Sequence, residues 1–97
     1  MPKEYVAIIE LANMSLIQDI KQRIEKRNDD VNEENDDGDT AVIVAARRND
    51  LALLKYLFSV GGSADVRDIL GHSPTFWATR NKNTEMVELI NTQLKNK

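Results

Sequence analysis

An all-α stack of helix-turn-helix repeats with hairpin-like fingers is the fold class the sequence predicts, and three observations carry it. The chain resembles itself at an offset of 33 residues. In each copy a glycine and then a hydroxyl residue precede an apolar run, the pattern of a helix N-cap. Leu54, Leu57 and Phe58, like Val87 and Ile90 with Leu94 four residues on, keep the i, i+3, i+4 spacing of a helix with one buried face.

The first copy runs from Asp37 through Ala46 and the second from Leu70 through Thr79; Gly38 falls on Gly71, Thr40 on Ser73 and Ala45 on Ala78. Thr40 is expected to cap a short inner helix. Asn49-Asp50 is the polar break from which an outer helix starts, and Gly61-Gly62 ends that helix through left-handed backbone that glycine adopts cheaply. In the second copy Ser73 is the cap, with Pro74 at the first helical position, where its missing N–H is harmless. Asn81 to Thr84 forms the next polar break before the helix of Val87 and Ile90. An ordinary helical bundle of three or four hairpins is the architecture that composition alone also allows.

Ninety-seven residues, 41% hydrophobic and 30% charged, support a single domain spanning 1–97. The absence of cysteine removes thiolate metal sites and disulfide stapling, so a reducing compartment is expected. Val6 to Leu11 is interrupted by Glu10 and preceded by Lys3 and Glu4, which suits neither a signal peptide nor a membrane span; a complete, cytoplasmic, membrane-free protein is the expectation. The net charge of −3 hides an uneven distribution. Seven acids and no base lie between Asn28 and Asp39, leaving thirteen bases against nine acids elsewhere, a net +4.

Catalytic and cofactor chemistry find little support. His72 is the only histidine, and no spacing supplies it with a nucleophile or an orienting acid. Gly61-Gly62-Ser63 is not followed by the Gly-Lys-Ser/Thr of a phosphate loop. Glu33, Asn35, Asp37 and Gly38 match the start of a calcium loop, but the twelfth position is Val44, where a bidentate Glu is required. No catalytic, cofactor or metal residue is therefore assigned. Arg47, Arg48, Arg67 and Arg80 lack aromatic interleaving and sit near many acids, which disfavours nucleic acid. Trp77 is read as core packing, while Phe76 is ambiguous between core and surface.

Taken together, these residues resemble an ankyrin repeat array. The likeness rests on Gly38, Thr40, Ala45, Ala46, Gly61, Ala64, Asp65 and Val66, and again on Asp68, Gly71, Ser73, Pro74 and Ala78. Asp30-Val31-Asn32 resembles the end of a preceding repeat, which makes three repeats at about 1–34, 35–67 and 68–97. In the degenerate first one, Ile8, Leu11 and Ala12 would form the inner helix and Leu16, Ile17, Ile20 and Ile24 the outer. Ile43 and Phe76 replace the motif histidine, and the segment from Asp65 to Gly71 is shortened, so a stubby or distorted second finger is expected. Asn91 and the polar tail to Lys97 suit a terminal cap.

The resemblance implies a non-enzymatic protein-protein interaction module, monomeric when free, that holds a partner on its concave face. Carried over position by position, that face comprises Asp36, Asp37 and Asp39 on the first finger, with Arg47 and Arg48 on the middle inner helix. Arg67, Ile69, Leu70 and His72 belong to the second finger, and Arg80 and Asn81 to the last inner helix. The acidic finger would steer a partner with a basic patch, and Ile69, Leu70 and Arg47 or Arg48 would be buried by it. A stoichiometric inhibitor or immunity protein blocking a basic enzyme or toxin is one alternative, and an adaptor or secreted effector another. Asp30-Val31-Asn32 also resembles the context in which ankyrin asparagines are hydroxylated.

Overall fold

Four side chains accept hydrogen bonds from the backbone N–H three residues ahead, and they set the starts of four helices. Thr40 Oγ1 does so for Ile43, Asp50 Oδ1 for Leu53, Ser73 Oγ for Phe76 and Asn83 Oδ1 for Met86, at 3.0 to 3.3 Å. Each such cap contributes about 1 kcal/mol. They open α3 (Ala41–Arg47), α4 (Leu51–Ser59), α5 (Pro74–Arg80) and α6 (Thr84–Lys95), which follow α1 (Ile8–Asn13) and α2 (Ile17–Arg27). The computed structural model describes residues 6–96; Met1, Lys3, Glu4 and Lys97 lie outside them.

The degenerate first repeat is built like the others. Its α1 has no side-chain cap from its own Ala7; instead the Glu33 carboxylate, 25 residues on, accepts from the Ile8 N–H at 3.3 Å. All three inner helices end alike. Ser15, Asn49 and Lys82 turn left-handed at φ +56°, +61° and +57°. The next N–H then reaches back five residues: Leu16 to the Leu11 carbonyl, Asp50 to Ala45, Asn83 to Ala78. This closes orphan carbonyls without a glycine.

α3 packs against α1, α5 and α4 at once. Ala41 to Ala46 are accordingly all buried, and the small side chains of Ala12, Ala45, Ala46 and Ala78 lie in the same core. Outer-helix burial falls on Leu53, Leu54, Leu57 and Phe58 and then on Met86 and Ile90. Val87 is only partly covered and Leu94 is 37% exposed, because repeat 3 has no later repeat against its far side among the described residues. Asn91 is exposed, as expected of an end.

The second finger corrects an expectation: it is not distorted. In the first, Asn35 N–H donates to the Asp39 carbonyl, Gly38 N–H to the Asn35 carbonyl, and Asn35 Oδ1 accepts from Asp37 and Asp39 N–H. Asp68, Leu70, Gly71 and His72 repeat every one of these bonds 33 residues later. Shortening the segment before it leaves the turn intact, because one side-chain oxygen at its first position organises it. A second correction concerns Gly61-Gly62. Only Gly61 has positive φ, at +97°; Gly62 is small because a Cβ there would lie 2.8 Å from the Leu57 carbonyl oxygen.

The outer helices are laced across repeats. Tyr56 donates to Glu25 at 2.9 Å with Lys21 near its ring, and Lys55 pairs with Glu85 at 3.4 Å. Burial, the Glu25 hydrogen bond and its negative charge raise the Tyr56 phenol to about 12. A phenol raised above its unfolded value of about 10 contributes stability that is whole below pH 10 and lost as pH climbs toward 12. Tyr56→Phe is expected to flatten the fall in melting temperature between pH 10 and 12, checked by thermal melts across that range.

Candidate functional site

The two finger tips occupy equivalent turn positions with opposite chemistry. Asp36-Asp37 stand on the first and Ile69-Leu70 on the second, and the Ile69 N–H donates to the Asp37 carbonyl at 2.9 Å, so the tips are side by side. Ile69 is 74% and Leu70 77% exposed, while Asp36 and Asp37 are also exposed. Large apolar side chains that far into water have no packing role in the free chain.

Behind the tips lies a groove of roughly 350 Å³, bounded by Asp37, Ile69 and Leu70 above and by Arg47, His72 and Trp77 below. Its floor is aromatic. His72 and Trp77 line it with rings edge-on at 5.2 Å, and Phe76, outside the lining, stacks on His72 at 4.2 Å and meets Trp77 edge-on at 4.9 Å. The Arg47 and Arg80 guanidinium carbons lie 5.7 and 5.9 Å from the indole centroid, within cation–π reach. Trp77 is partly buried and packs against the core, in line with its reading as core, while also lining the groove; Phe76 is 38% exposed. The Trp77 Nε1–H and His72 Nδ1 are buried without hydrogen-bond partners; Asp68 Oδ2 stands 3.6 Å from Nδ1, too far for a hydrogen bond.

Several residues assigned to the concave face are also engaged within the fold. Asp39 is 6% exposed, and both its oxygens accept from Arg47 at 3.2 and 3.0 Å. Asn81 donates to the Ala46 and Arg47 carbonyls, holding α5 against the end of α3. Arg67 donates to the Gly71 carbonyl and braces its own finger. Arg48 and Arg80 are exposed.

The acidic block divides in the same way. Asp29 pairs with Arg23 and Arg27, Asp30 Oδ1 accepts from Asn32 N–H, Glu33 holds α1 and Asp39 holds Arg47. Glu34, Asp36 and Asp37 are the exposed remainder. Asn32 bridges repeats: its amide donates to the Gly61 carbonyl and accepts from Ser63 N–H.

Trp77 and Asp68 are the site residues that sequence reasoning missed. Trp77 carried a signal in its neighbours, since Arg47 and Arg80 are equivalent residues 33 apart that both reach one indole. Asp68 aligns with Asn35, which makes it the turn organiser. Among the described residues no cluster of three or more His, Cys, Asp or Glu is placed to hold a metal ion, and no helix is long and apolar enough to cross a membrane.

A family model for ankyrin repeats, in three copies, matches residues 7–96. A comparison with curated proteins finds no match.

Proposed function

Because the chain belongs to the ankyrin repeat family, we propose that it is a non-enzymatic binding module whose finger groove takes up a partner protein carrying a basic patch. Ankyrin repeats generally serve as protein-protein interaction modules. The observation that carries the finer reading is the pairing of tips: an exposed apolar pair set against an exposed acidic pair, above an aromatic floor. The apolar pair supplies area that a partner can bury, and the acids supply attraction at longer range.

Steering rests on Asp36 and Asp37 and excludes Asp39, which is committed to Arg47. Asp36→Asn/Asp37→Asn is expected to slow association with a basic partner severalfold at low salt and to flatten its salt dependence, with dissociation little changed. Stopped-flow association at several ionic strengths measures this. An unchanged rate at low salt would remove the steering role.

A further inference from the structure

Arg47 and Arg80 end equivalent inner helices, yet only one of them has its carboxylate. In repeat 2, Asp39 clamps Arg47 through two hydrogen bonds. The position 33 residues after Asp39 is His72, which offers no carboxylate, and no ion pair with Arg80 forms among the described residues. The four hydrogen bonds that close the finger turn leading to it are the same in both repeats. Repeat 3 therefore presents the exposed Arg80 with its guanidinium carbon 5.9 Å from the centroid of Trp77, a ring that lines the groove.

We propose that Arg80 receives a side-chain carboxylate from the docked partner, in the role Asp39 plays for Arg47. The inference rests on the groove reading above and refines it. The partner segment is then polarised: a Lys or Arg at Asp36-Asp37, a large apolar residue over Ile69, Leu70 and Trp77, and an Asp or Glu at Arg80. Reversing the order of charges would place like beside like.

The test uses random dodecapeptides without Trp, amidated at the C-terminus, displayed and selected on the intact chain. The expected consensus has a basic residue, a large apolar residue and an acid in one fixed order. In titrations of a selected peptide, Arg80→Gln is expected to weaken binding about tenfold and to abolish the difference between that peptide and its acid-to-amide counterpart. The double variant Asp68→Asn/His72→Asp gives the second finger the side chains of the first at these positions. It is expected to pair Arg80 internally, weakening the same peptide about tenfold while the melting temperature holds or rises, which separates lost binding from unfolding. Peptides that bind through the groove but lack the acid, or that bind Arg80→Gln undiminished, overturn this inference and leave the groove reading standing. Failure to select any peptide sensitive to Leu70→Ser overturns both.

Discussion

Gly38→Ala is expected to lower stability by about 3 kcal/mol, while Gly71→Ala, at the same place in the next finger, loses only about 1 kcal/mol. Both glycines have positive φ, +76° and +85°, so an alanine is strained at either. The difference lies in what stands beyond them. A Cβ on Gly38 would sit 2.9 Å from the Ile69 nitrogen and 3.2 Å from the Asp68 backbone, which cannot move without breaking the bond from the Ile69 N–H to the Asp37 carbonyl. A Cβ on Gly71 meets nothing within 4 Å. At about 4 to 8 °C per kcal/mol for a domain of this size, calorimetry should separate the two variants by roughly 10 °C. Equal losses would show that the fingers do not pack as described.

Asp39→Ala is expected to destabilise the chain by about 2 kcal/mol, with little dependence on salt. The carboxylate is nearly enclosed, and its removal deletes two charge-assisted hydrogen bonds and strands a half-buried guanidinium. Arg47 keeps some access to water, which holds the loss below that of a fully buried pair. A double-mutant cycle with Arg47→Ala should return most of the loss as coupling energy. Asp36→Asn/Asp37→Asn should leave the melting temperature within a degree or two, since neither side chain is enclosed. Replacing all three acids together would therefore mix steering with stability.

The framework was legible in the sequence because it rests on local chemistry repeated at a fixed spacing. Thr40, Asp50, Ser73 and Asn83 cap helices through bonds that span three residues, and Leu54, Leu57 and Ile90 mark buried faces by helical spacing. What was not legible depends on groups brought together across turns. Asp39 and Arg47 are eight residues apart, outside any helical contact rule, so Asp39 read as a free tip residue. Glu33 reaches Ile8 across an entire helical pair. Gly62 is required by the close approach of the Leu57 carbonyl, which no local pattern records. Trp77 read as core because a lone indole among small residues on a short helix usually is. Here it also faces two arginines whose equivalence appears only when the repeats are superposed. The tips Ile69 and Leu70 stood out because two large apolar residues within a polar turn contradict their surroundings, and both are exposed.

Trp77 is the only tryptophan, so the groove carries its own reporter. The most direct test of a binding role for this face is the emission of Trp77 during titration with a selected, tryptophan-free basic peptide, in the wild-type chain and in Ile69→Ser/Leu70→Ser. Docking in the groove predicts a saturable change in emission that tracks binding measured by calorimetry, and a loss of both in the finger variant. Binding that saturates while the emission stays constant, and that the variant retains at full strength, would contradict the account.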